Sequence, residues 1–126
     1  MIQAYSSALF PPIPVLDVFF AFPAGDDWSG PHQALVDSGA DFTIVPMAFV
    51  AQLKLPVVRP VYVSSHWHDQ RSAYVYEVDI RVGDIILPAV DVVGDRHGNQ
   101  ILLGRNLLNK LDLRLQGPAL RTYLLG

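Results

Sequence analysis

The chain has 126 residues, enough to enclose one hydrophobic core and short for two. Hydrophobic residues make up 51% and charged ones only 17%, against a usual charged share of about 25%, so oligomerisation is expected to hide part of the surface. The net charge of −3 gives no basic excess for a phosphate backbone, which argues against nucleic acid, and the absence of cysteine removes disulfides, thiol chemistry and thiolate metal sites.

A cysteine-free chain is compatible with a reducing cytoplasm, and a soluble cytoplasmic protein is the expectation. Residues 8–24 are apolar enough to raise the question of a membrane segment. Pro11, Pro12, Pro14, Pro23 and Asp17 interrupt them, however, and no basic n-region precedes them, so no membrane partner is expected.

In chain order, residues 1–7 suggest a short edge strand. Residues 13–22 carry the β-branched and aromatic side chains of a core strand, with Phe19, Phe20 and Phe22 as core candidates. Residues 25–31 are dense in turn formers, and Asp26 and Asp27 there read as solvated acids. The next strand, 32–36, runs straight into Asp37-Ser38-Gly39-Ala40-Asp41. Gly39 permits a turn that a Cβ would obstruct, so the Asp37 carboxylate is held at the edge of a core.

Residues 42–45 form a further short strand, and Pro46 opens a helical stretch over 47–53. Residues 57–64 and 73–82 alternate as strands, the second with Tyr74, Tyr76, Val78 and Ile80 on one side, and the hairpin between them spans 65–71. Two short strands are predicted over 84–88 and 89–93, then a turn over 95–99. Ile101-Leu102-Leu103 leads through Gly104 into a short helix over 105–111. A strand over 113–115 and a terminal strand over 120–125 complete the chain. The last is apolar on both faces, with Leu120, Thr122 and Leu124 on one side and Arg121, Tyr123 and Leu125 on the other, and would need its edge covered. No repeat or linker interrupts 1–126, which reads as one domain.

Asp-Ser-Gly alone is also an ordinary Asx-turn. Paired with Leu102-Leu103-Gly104-Arg105-Asn106-Leu107-Leu108 far along the chain, however, the segment Leu35-Val36-Asp37-Ser38-Gly39-Ala40 resembles the retroviral-type aspartic proteases, the retropepsins, over about residues 13–125. The resemblance implies an all-β, small closed β-barrel-like acid-protease fold with one short C-terminal helix, working as a homodimer. It also implies a water-activating pair of aspartates. Asp27-Trp28-Ser29-Gly30 and Asp95-Arg96-His97-Gly98 lack the motif's spacing, so the second carboxylate must be Asp37 of another copy.

On the same resemblance, Ser38 hydrogen-bonds across the dyad and Gly39 offers its carbonyl to substrate, so Asp37, Ser38 and Gly39 are the catalytic candidates. Ala40 keeps a neighbouring pocket open. Asp41 and Arg105 form an ion pair beneath the site, and Asp41, Arg105 and Asn106 are the structural and dimer positions. Chain ends from both subunits build an interface sheet in the family, a job the terminal strand could take. No metal or organic cofactor is implied.

The sequence departs from the family at the flap, the hairpin over the substrate. Retroviral flap tips are glycine-rich, whereas no glycine occurs here between Gly39 and Gly83. With Ala40 and Asp41, the side chains of His66, Trp67 and His68 are the candidate substrate contacts. His66-x-His68 would offer two imidazoles to a metal, but no third or fourth ligand is fixed by spacing. The Gly-x-Ser-x-Gly elbow of serine hydrolases is missing. The function expected is an aspartic endopeptidase acting on extended polypeptides with apolar residues near the cut. The alternative is a catalytically weak or inactive peptide-binding or dimerisation module of retropepsin fold.

Overall fold

The computed structural model describes residues 1–64 and 70–126. Its strands are β1 (Ile2–Ala4), β2 (Val15–Ala21), β3 (Ser29–Val36), β4 (Thr43–Pro46), β5 (Val57–Ser64), β6 (Gln70–Val82), β7 (Ile85–Asp95), β8 (Ile101–Leu103), β9 (Asp112–Gln116) and β10 (Arg121–Leu125). Two α-helices, α1 (Met47–Leu53) and α2 (Arg105–Leu108), and a 3₁₀ turn over Gly117–Ala119 connect them.

Val15, Leu16, Val18, Phe20 and Ala21 are all buried, more than strict alternation would bury. Accordingly β2 is paired on both edges, with β3 and with β6. From β3 the ring continues through β8, β4, β7 and β6 and returns to β2, which closes a barrel of six strands. Closure removes the open edges that a small sheet would otherwise expose. Side chains such as Phe20, Ile80, Leu103 and Leu107 fill the interior, each of the last two fully buried. β5 stays outside the ring, paired only with β6 as a hairpin from Val57↔Tyr76 to Ser64↔Gln70.

Several elements differ from the sequence reading. The region expected as two strands over 84–88 and 89–93 is the single strand β7, bent at Ala89, where φ is 52°. The bend sits where the β6 register slips between Val78 and Ile80, and the carboxylate of Asp79 accepts the Ala89 N–H at 2.8 Å. The alternation expected of β6 breaks elsewhere, opposite a register shift in β5 between Val57 and Arg59: Tyr74 is exposed while Val75 and Tyr76 are both buried. Pro46 lies at the N-cap of α1 in extended conformation, one position before the first helical residue. The C-terminal helix stops at Leu108, because the N–H groups of Lys110 and Leu111 turn back to the carbonyls three residues earlier.

The terminal strand does not present a free edge. β10 is the centre of a separate sheet in the order β1-β10-β9, in register Ile2↔Tyr123 and Leu124↔Leu113. The N-terminal segment doubles back onto the chain's own tail, so both edges of β10 are filled from within. The open edges of that sheet belong to β1 and β9.

Candidate active site

Asp37 follows β3 directly. Its N–H donates to the Leu103 carbonyl at 3.1 Å, which continues the parallel β3–β8 pairing one residue beyond Val36↔Leu103. The carboxylate is then fixed by its own turn, with Oδ1 accepting the Gly39 N–H at 3.0 Å, while the Ala40 N–H reaches the Asp37 carbonyl at 3.2 Å. Asp37 is half-buried, and Ser38 and Gly39 are exposed beside it. An acid at a barrel rim is thereby accessible to a ligand and restrained in direction.

The first turn of α2 fastens this loop from below. A helix of four residues has no stability of its own. Burial of Leu107 holds it in place, a contribution of about 2–3 kcal/mol for a leucine side chain. From there the Arg105 guanidinium forks, Nη1 donating to the Ser38 carbonyl at 2.8 Å and Nη2 pairing with the Asp41 carboxylate. Backbone donors repeat the clamp, since the Arg105 N–H reaches the Ala40 carbonyl at 2.9 Å and the Asn106 N–H the Asp41 carbonyl at 3.2 Å. The pair is solvent-facing, with 44% of the Arg105 and 74% of the Asp41 side chain exposed, so its worth lies in geometry more than in Coulomb energy.

Thr43 is a member of this arrangement that sequence reasoning missed. Fully buried, it gives its N–H and its hydroxyl to Asn106 Oδ1, both at 2.9 Å, and its Oγ1 accepts the Gly104 N–H at 3.1 Å. Asn106 Nδ2 donates to the Asp91 carbonyl at 2.8 Å, so the asparagine makes these contacts within its own chain. Gly104 is required there, because a Cβ would collide with the backbone of Phe42 and Thr43.

Above the loop, Gly39, Ala40 and Phe42 bound a cavity of about 330 Å³ whose other wall is Val61, Tyr62 and Val63 of β5. Strand β5 therefore faces the loop that follows Asp37 across this cavity. His66, Trp67 and His68 lie outside the described residues. Among the described residues no cluster of three or more His, Cys, Asp or Glu could hold a metal ion. No helix among them is long and apolar enough to cross a membrane.

A closed six-stranded barrel with an Asp-Ser-Gly turn at its rim, bracketed by Gly-Arg-Asn and faced by β5 across a cavity, is the retropepsin-like acid-protease fold. Residues 29–110 match the family described as "gag-polyprotein putative aspartyl protease", and the chain belongs to that retropepsin-like aspartic protease family. Among solved structures it is similar to a retropepsin-like aspartic protease from Rickettsia conorii, at 15% identity and a TM-score of 0.63, covering 100% of this chain and 92% of that one. It is also similar to the EIAV protease complexed with the inhibitor HBY-793, at 17% identity and a TM-score of 0.58, covering 83% of this chain and 93% of that one. At such identities the likeness is one of fold. No curated protein sequence matches the chain.

Proposed function

We propose that the protein is an aspartic endopeptidase whose active form is a homodimer, with one domain over 1–126 in each copy and Asp37 of each copy facing the other across a single water. Two carboxylates that close share one proton, because both cannot ionise together. The ionised one takes a proton from the water as its oxygen attacks the scissile carbonyl carbon, and the protonated one donates to the carbonyl oxygen. Collapse of the tetrahedral intermediate breaks the C–N bond as the leaving nitrogen takes up a proton. Ser38 would tie the two loops together and Gly39 would present its carbonyl to the polypeptide, which binds as an added strand beneath the hairpin. A cytoplasmic location fits the cysteine-free sequence.

The observation that carries this reading is the restraint on Asp37. A half-buried carboxylate is restrained by its own turn, by β8 and by the Arg105 clamp, two residues before Gly39, which with Ala40 lines the cavity under β5. The test is incubation with unfolded protein from acid to neutral pH, alongside Asp37→Asn and a hydroxyl-bearing transition-state analogue. Cleavage that the analogue blocks and that falls by about a thousandfold or more in the variant is the expected result. Cleavage persisting in Asp37→Asn would remove this residue from the mechanism. No cleavage by either form at any pH would leave a peptide-binding module of the same fold.

A further inference from the structure

The cleft beneath the hairpin has two unlike halves. Ile44, Val63, Ser64 and Val93 border both, and the three apolar side chains among them form most of the partition between the halves. One half is the space over Gly39, Ala40 and Phe42. The other, also about 330 Å³, is bounded by Arg71 of β6 and by Asp95, Arg96 and His97 in the turn that leaves β7.

Charge in this second half is uneven. Arg71 and Arg96 are exposed residues that line this space, and among the described residues the ion pairs are Arg59–Asp91 and Arg105–Asp41, so no described carboxylate pairs with either guanidinium. Among the described residues Asp95 supplies the one carboxylate lining the space, and it is bent back on its own turn. Its Oδ1 accepts the His97 N–H at 2.9 Å, and its other oxygen lies over Gly98, in the position a Cβ would need. Among the described residues, two guanidiniums therefore line the space against one acid that is engaged with backbone.

We infer that this half of the cleft is a subsite for an acidic side chain, Asp or Glu, of the bound polypeptide, and that Arg71 and Arg96 select it. The inference rests on the peptide-cleaving reading of the same site. A guanidinium fork matches a carboxylate in shape and charge, and a lysine in the same place meets like charge. The apolar partition takes the neighbouring side chain, so the preferred stretch combines an apolar residue with an acidic one. In a two-fold dimer the subsite occurs on both sides of the cut. Because both arginines are hydrated, the preference is about three- to tenfold and shrinks with added salt.

The experiment maps cleavage sites in a mixed peptide library, then compares matched peptides carrying Glu, Gln or Lys at the enriched position. Wild type is expected to cut the Glu peptide about three- to tenfold faster than the Gln peptide in kcat/KM, with Lys slowest. Arg71→Gln combined with Arg96→Gln should bring the Glu/Gln ratio near one, with the thermal midpoint confirming a folded protein. Equal cutting of all three, a Lys preference, or a Glu preference that survives both substitutions would overturn the inference while leaving the protease reading intact. Should no peptide be cut, anisotropy with the same labelled peptides decides. Tighter binding of Glu than Gln upholds the subsite and sinks only the protease reading, whereas equal binding sinks the subsite as well.

Discussion

Asn106 and Thr43, 63 positions apart, meet at a single atom: the amide oxygen of one accepts both the N–H and the hydroxyl of the other. The Thr43 hydroxyl in turn receives the Gly104 N–H in a fully buried setting. The start of β4 and the start of α2 are thereby locked together, and the loop carrying Asp37 is stretched between β3 and that lock.

Thr43→Val keeps the shape and the backbone bond to Asn106 but deletes the hydroxyl. The Gly104 N–H is then buried without its acceptor, which costs about 1–3 kcal/mol. For a domain of this size each kcal/mol lowers the thermal midpoint by roughly 4 °C. Thermal denaturation followed by circular dichroism should show that drop, with Thr43→Ser retaining most of the stability. A Val variant melting with wild type would mean that the hydroxyl carries no net weight.

Much of the site was legible, because an apolar run ending in Asp-Ser-Gly and another ending in Gly-Arg-Asn each announce a strand leading into a turn. Thr43 was not. Inside Phe42-Thr43-Ile44-Val45 a threonine is an ordinary strand residue, and nothing local says that its hydroxyl has a partner over 60 positions away. The bend in β7 was hidden for a related reason. Ala24 and Ala89 adopt positive φ, 63° and 52°, where glycine or asparagine would have marked a turn. The pairing of the tail with the head of its own chain was equally invisible, since β1 and β10 satisfy the same alternation with any partner.

Asp79 explains why those alanines are tolerated. Only 6% exposed, it accepts the Ala24 N–H at 2.9 Å on one oxygen and the Ala89 N–H at 2.8 Å on the other. Both left-handed residues are thus pinned by one carboxylate. Asp79→Asn exchanges an acceptor for a donor at one of them, and a loss of about 1–3 kcal/mol is expected in urea denaturation. An unchanged midpoint would show that the two turns hold themselves.

Arg105 ties the Ser38 carbonyl and the Asp41 carboxylate with one planar fork. Lysine has a single ammonium on a flexible stem and cannot hold both in that geometry. Since the ion pair is exposed, Arg105→Lys should cost at most about 1 kcal/mol of stability. On the proposed mechanism catalysis is more sensitive to the placement of Ser38 and Gly39, so kcat/KM should fall about tenfold or more. Measuring both quantities on one preparation separates the effects. Full activity in the lysine variant would show that the backbone clamps alone position the loop.

His32 gives the fold a pH dependence of definite sign. Its ring lies edge-on to Phe49 with centroids 4.5 Å apart and stacks at 5.6 Å on Phe20, while Nε2 is 2.9 Å from the Ser29 hydroxyl. Desolvation in this pocket holds its pKa below the ordinary value. Between that lowered value and the ordinary one, about 6.5, the unfolded chain binds a proton that the folded chain refuses. Stability contributed by the neutral ring is therefore complete above about pH 6.5 and is lost progressively as the pH falls below it. His32→Phe keeps an aromatic ring against Phe20 and Phe49 and removes the titration. The urea midpoint of wild type should fall further between about pH 7.5 and about pH 5.5 than that of the variant, whose remaining slope reports the carboxylates. Parallel slopes in the two proteins would assign the acid sensitivity to other groups.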